Sequence, residues 1–436
     1  MGLKGKLVDG RAGAGLLHSS RSGRTALAGT AVLLLVAACG SSSTGTGNST
    51  NHGSNTIPPV TISSFTSTIS SAMSQFKNLA EYGTQGASTL QVGVILPDTT
   101  SSTRYVSFDA PYLTDAFADA GYTTSQFRID NAQGSDATEL DDATADISLG
   151  AKVLVMDPLD GPTGVAIAQL AESKGVTLIS YDRATFQGSK TYYVSFDNEK
   201  VGELIGTNFL TCLTSEGVTN PQVYVLNGGE DTDPNAISFA TGYNKVVWGQ
   251  AAKTVTAGAK STSGGATLVG ENYAPGWVNA QGGTIFQQAY TQTPGINATI
   301  EANDGLAGAV ITDLKNAGVQ AGKVPTTGQD ATAQGMAYIL QGWQCGSVYK
   351  AVYQEAQDAV ALATILLAKD TVPTGLLNGT TTDPANSSIT EPASLLVPTW
   401  VNAANMEATV VKDGFDTASA ICALAGADLC TKDNIS

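Results

Sequence analysis

Two spacings of apolar residues alternate along most of this chain. Short continuous runs, such as Val92, Val94, Ile95 and Leu96 or Val153, Leu154, Val155 and Met156, suit strands buried on both faces. Between them lie stripes at helical spacing, for example Tyr112, Leu113, Ala116, Phe117 and Ala120. The pattern predicts strands at 91–96, 126–129, 152–156, 176–181 and 192–197, with helices over 138–149 and 163–174 and another entered at Asp197 or Asn198. It restarts at 222–226, with further strands at 267–269, 298–300 and 324–327. Strands alternating with helices imply parallel sheets with right-handed crossovers, so the expected fold is α/β with two doubly wound, Rossmann-like lobes.

The N-terminus breaks this pattern. Residues 26–38 are a short apolar stretch after a basic segment, too brief for a comfortable membrane span, and Val36-Ala37-Ala38-Cys39-Gly40 resembles a bacterial lipobox. Residues 1–38 are therefore expected to be a lipoprotein signal peptide. Cys39 becomes the lipidated first residue, on the outer face of the cytoplasmic membrane. From Gly40 to about Asn55 the chain is almost wholly Gly, Ser, Thr and Asn, a composition that cannot bury enough apolar surface to order itself. Phe65, Ile69, Met73, Phe76 and Leu79 then predict a leader helix, so 39–88 is expected to be anchor, tether and leader.

Charge and residue usage narrow the function. The chain carries −16; the first 38 residues hold +4, which leaves −20 on the rest and argues against nucleic acid as a partner. His18 and His52 both precede the globular part, so the commonest general base and metal ligand is missing from it. Neither a dinucleotide-binding Gly-x-Gly-x-x-Gly after the first strand, nor a Walker A loop, nor a Gly-x-Ser-x-Gly elbow is present, and no cofactor is expected. A carboxylate pair such as Asp231 and Asp233 leaves glycoside hydrolysis as the enzymatic alternative. A two-lobed transcriptional regulator would need a basic DNA-binding headpiece where this chain has its lipobox.

Polar and aromatic residues gather where the predicted strands end: Asp98, Arg104 and Tyr105; Asp182 and Arg183; Asp231, Asp233 and Asn235; Trp277; Asn303 and Asp304; Gln329 and Asp330. Ligands of open α/β sheets settle beyond the strands' carboxyl ends. Carboxylates and amides accept from hydroxyls, guanidinium and ammonium groups donate to them, and an aromatic face covers the C–H side of a sugar ring. The set therefore suits a neutral polyol.

Tyr181-Asp182-Arg183, the run 193–202 (YVSFDNEKVG), Asn303-Asp304, Gly328-Gln329-Asp330-Ala331 and Val348-Tyr349-Lys350 occur in one order that resembles the D-xylose-binding proteins of ABC sugar importers, over residues from about Gln91 to Phe415. The resemblance implies a type I periplasmic-binding fold, two lobes joined by a three-segment hinge and closing on one monosaccharide. It implies a monomer that delivers the sugar to a membrane permease with its ATPase subunit; a sensor presenting its closed form to a receptor is the alternative. The ligand residues it implies are Arg104, Tyr105, Asp182, Arg183, Asp233, Asn235, Trp277, Asn303, Asp330 and Lys350. Tyr105 stands where the family usually has Trp, and Pro234 where it has Asn. With crossings expected near 218–222, 346–350 and 398–402, one lobe is expected to comprise 89–220 and 348–398, and the other 221–347 and 399–436.

Four cysteines remain beyond Cys39 in a setting that permits disulfides. Three pairings are open, as are free thiols; Cys212–Cys345 with Cys422–Cys430 is the candidate set, and no metal centre is expected.

Overall fold

The structure is a computed structural model that describes Ile57, residues 60–62, 79–100, 102, 104–187, 191–263 and 265–436. Cys39, the lipobox, the tether and most of the expected leader helix lie outside the described residues. The leader's described end is one helical turn, α1 (Ala80–Thr84), packed with Leu79 and Ile57 into the first hydrophobic core.

The first lobe carries β1 (Val92–Leu96), α2 (Ala110–Ala120), β2 (Phe127–Asn131), α3 (Asp136–Leu149), β3 (Val153–Met156), α4 (Gly161–Lys174), β4 (Thr177–Tyr181) and β5 (Thr191–Phe196). Strands β1, β3 and β4 are buried almost throughout, as their unbroken apolar runs require once helices cover both faces. Helix starts follow local chemistry. The Ser135 hydroxyl accepts from the Thr138 N–H to open α3, and the Asp160 carboxylate accepts from the Thr163 N–H to open α4.

Helix α5 (Asn198–Ser215) begins one residue after the Asp197 cap, and the chain has by then changed lobes. Val201, Ile205, Phe209 and Leu213 belong to the second core. This corrects the expected first crossing near 218–222, and with it the boundary at 220: the crossing lies at 196–198. The reason is packing. Gly202 and Gly206 let α5 sit backbone-to-backbone against α6 (Pro234–Trp248), where a Cβ on Gly202 would collide with the Phe239 carbonyl. No spacing rule along one helix shows which sheet it will cover.

The second lobe continues with β6 (Gln222–Gly228), then α6, β7 (Thr267–Ala274), α7 (Asn279–Gln292), β8 (Ala298–Glu301), α8 (Asp304–Asn316), β9 (Thr326–Gln329), α9 (Ala333–Leu340) and β10 (Gln344–Tyr349). α10 (Val352–Ala368) then returns to the first core, followed by β11 (Gly379–Thr382) and β12 (Thr390–Leu396). β13 (Thr399–Val401), α11 (Ala418–Ala425) and α12 (Ala427–Asp433) end the chain on the second lobe's side. The later crossings fall at 349–352 and 396–399.

The first sheet runs β11-β12-β5-β4-β3-β1-β2, parallel except for the β11–β12 pair. The second lobe has two three-stranded sheets, β7-β6-β8 and β13-β10-β9, parallel apart from β13. They adjoin where β8 lies beside β9. There the Thr299 N–H donates to the Pro325 carbonyl (2.9 Å), and the Glu301 carboxylate takes the Thr327 N–H (2.8 Å) in place of a ladder carbonyl. Burial pushes that carboxyl up to about 8.

Cys212 is bonded to Cys345, joining the end of α5 to β10, and Cys422 to Cys430, joining α11 to α12. Among the described residues no helix is long and apolar enough to cross a membrane.

Candidate functional site

Every strand that ends at the cleft hands its last residues to the same place. Arg104 and Tyr105 open the wide helical turn Tyr105–Asp109 after β1; Asp182 and Arg183 follow β4; Asn235 stands in the first turn of α6 after β6. Trp277 closes a short turn after β7, Asn303 follows β8, Asp330 follows β9, and Lys350 follows β10 at the second crossing. These nine, with Ser102, Phe239 and Gln329, line one gap of about 30 Å³, roughly the space of a single water. A monosaccharide is several times larger, so the lobes and side chains must part to admit one.

The backbone is held in uncommon conformations here. Asp182, Trp277, Asp330 and Ala331 all have positive φ, at 58°, 58°, 90° and 49°. Such conformations persist only where surrounding contacts enforce them. For Asp182 and Asp330 the enforcing bonds are visible: each N–H is tied to the neighbouring strand, Asp182 to Val194 and Asp330 to Val348.

Arg104 is the most heavily bonded side chain of the site. It meets Asp109 with two bonds (2.9 and 2.8 Å), Asp182 through Nη1 (2.6 Å) and Glu355 through Nη2 (2.7 Å). Among the described residues four of its five N–H donors are thereby used, and the fifth is at Nη1. Burial works against the guanidinium's charge, yet the three carboxylates outweigh it and hold the group well above its usual range. Asp182 is the mirror case: burial would raise it, but Arg104, Lys350 and Arg183 together hold it down to about 2. Glu355 goes the other way, raised by its burial in α10 despite Arg104.

Arg183 donates to the Pro158 carbonyl (3.2 Å) and the Tyr105 hydroxyl (3.1 Å), with the fully buried Asp157 3.8 Å behind it. The Tyr105 ring lies against both guanidinium groups, 5.6 Å from Arg104 and 5.7 Å from Arg183. Lys350 Nζ stands 3.6 Å from Asp182 and 3.8 Å from Asp330, joining carboxylates of the two lobes. At the first crossing Asn198 donates to the Tyr193 hydroxyl and to Asn235 (both 2.9 Å). Tyr193 and Asn235 each donate to the Asp182 carbonyl, at 2.7 and 3.1 Å.

Asp233 is the one predicted residue that does not line the gap. Its Oδ1 caps α6 through the N–H groups of Asn235 and Ala236, and its Oδ2 accepts from Trp277 Nε1 (2.8 Å). It orients the indole from behind. The ring also lies against Gly228, where any Cβ would overlap it. Asn303 likewise spends its Oδ1 capping α8.

Sequence reasoning placed Gln329 among the strand-end residues but not among the ligand residues, and it missed Ser102 and Phe239 in the lining and Asp109, Asp157 and Glu355 behind the arginines. Gln329 lies inside a quoted motif, and Phe239 is one helical turn beyond Asn235, so both had a local signal. Glu355, 251 residues from Arg104, had none.

These features agree with comparison to known proteins. Residues 92–371 match the model of the periplasmic binding protein domain. The D-xylose-binding periplasmic protein of Escherichia coli K12 is 32% identical over 294 residues, 66% of this chain and 80% of that protein. A multiple sugar-binding periplasmic protein of Azospirillum brasilense is 28% identical over 75% of this chain and 89% of its own length. Among solved structures, a carbohydrate transporter solute-binding protein from Chloroflexus aurantiacus in complex with D-glucose superposes with a TM-score of 0.64 at 25% identity. That match covers 77% of this chain and 98% of the other.

Proposed function

This chain belongs to the periplasmic binding protein family, and on that premise we propose that it is the extracytoplasmic sugar-capturing component of an ABC importer. It takes one monosaccharide, D-xylose or a close aldopentose, between its lobes and releases it unchanged to a membrane permease driven by an ATPase subunit. The observation that carries this reading is the convergence of Arg104, Asp182, Asn235, Trp277, Asp330 and Lys350, from both lobes and a crossing, on one gap. Ionised donors and acceptors already locked to one another offer a neutral polyol strong, directed hydrogen bonds, and Trp277 and Phe239 offer it apolar faces.

Closure follows from the same layout. A sugar reaches its full set of partners only when the lobes are together, so its binding energy is differential between open and closed forms and shifts the population toward closure. The permease reads that closed form. Xylose is favoured over hexoses by similarity to the D-xylose-binding proteins; Tyr105 and Pro234 depart from their pattern, and they are where the preference is most open to change. Cys39 supplies the anchor to the outer face of the membrane.

The test is a calorimetric panel of pentoses and hexoses against the full chain, with the sugar recovered afterwards. Saturable binding of D-xylose with no chemical change is expected. A flat response across the panel, or turnover of the sugar, overturns the proposal.

A further inference from the structure

Beyond Arg183 and Trp277 the cleft does not end. Those two residues line both the central gap and a second chamber of about 640 Å³, walled by 158–162 of the first lobe and by Glu230, 232–234 and 276–278 of the second. That is the space of roughly twenty waters, and it persists with the lobes together. A group placed there would not obstruct closure.

The chamber's chemistry repeats that of the central site. Pro158, Leu159, Val278 and the edge of Trp277 give apolar surface, while Asp136, Asp160 and Glu230 give acceptors. Val278 leaves a large apolar side chain 41% exposed at the rim, directly after Trp277. The turn that presents both is fixed in place: the Gly276 N–H donates to the Glu230 carboxylate (2.9 Å), across the wall. Among the described residues Arg183 is the sole cation in the lining, and there its buried guanidinium donates to two partners, the Pro158 carbonyl and the Tyr105 hydroxyl, out of five N–H groups. Carboxylates in excess repel anions, and apolar faces beside acceptors suit the C–H and O–H sides of a second sugar ring.

We infer that this chamber is a second saccharide subsite: besides a single monosaccharide the chain takes a glycoside or short neutral oligosaccharide, one ring in the central gap and the next between 158–162 and 276–278. The inference rests on the central gap being a sugar site, and its test separates the two. Calorimetry on the full chain compares D-xylose, methyl β-D-xyloside and the β-1,4-linked disaccharide of xylose, in wild type and in Gly161→Trp. Gly161 is in the chamber wall, and a Cβ added there meets no heavy atom within 4 Å, so a larger side chain can be rooted at this position without a backbone clash.

The disaccharide is expected to bind wild type at least as tightly as xylose. In Gly161→Trp, xylose affinity should stay within about twofold while disaccharide affinity falls at least tenfold. Xylose binding without disaccharide binding, or disaccharide binding indifferent to Gly161→Trp, overturns the subsite and leaves the central site standing. Absence of binding by all three, and by the wider panel, overturns both.

Discussion

Arg104 and Asp182, 78 residues apart in sequence, meet at 2.6 Å in the centre of the cleft, both almost wholly buried. Neither charge would be tolerated there alone. Removing one partner of a buried pair leaves the other uncompensated and costs about 3–5 kcal/mol. Arg104→Ala, which strands Asp109, Asp182 and Glu355 together, is expected to lose that much stability in denaturant unfolding as well as its sugar binding. Arg104→Lys keeps a charge but cannot span three carboxylates. It should retain more of the stability than Arg104→Ala, and its binding should still fall at least tenfold.

Trp277 and Asp330 face the gap without Arg104's share of the structural ion pairing. Trp277→Ala and Asp330→Ala should each weaken sugar binding at least tenfold, about 1.4 kcal/mol or more, with a folded circular-dichroism spectrum. Wild-type affinity in both would place the ligand elsewhere.

Gly228 tests the indole's seat. A methyl group at this position overlaps the Trp277 ring, so Gly228→Ala should displace the ring, cost about 1–3 kcal/mol as an overpacked site and weaken binding in the same variant. Gly161→Ala, in open space, is its control.

Stability should fall as pH rises. Burial pushes Glu139, Glu301 and Asp358 up to about 8, so the native protein keeps protons that the unfolded chain releases near pH 4. Between about pH 4 and 8 the folded state therefore binds more protons, and each such group draws stability down across that window, levelling off above it. Asp182 acts oppositely: held at about 2, its stabilisation is present above pH 4 and is lost as pH falls toward 2. Melting temperature is expected to peak near pH 4–5, and Asp358→Asn should flatten the descending limb. A melting temperature that climbs from pH 5 to 8 contradicts this assignment.

The two disulfides should contribute unequally. Cys212–Cys345 spans 133 residues and Cys422–Cys430 spans 8, for which loop entropy alone gives about 5 and about 2.5 kcal/mol. Unfolding of the double-alanine variants should show the larger loss for the first pair.

Much of this molecule is written locally. The apolar runs of β1, β3 and β4, the helix entry at Asp197, and the polar residues at strand ends are each set by neighbours within a few positions, so period and capping rules predict them. What the chain alone determined was therefore a pair of α/β lobes with their chemistry at the strand ends. Tertiary structure decided the rest: that α5 joins the second core through Gly202 and Gly206, that Asp233 stands behind Trp277 instead of in the gap, and that Glu355 reaches back to Arg104. Those outcomes depend on which surfaces meet and which charges must be compensated once water is excluded, and both are properties of contacts between residues far apart in sequence.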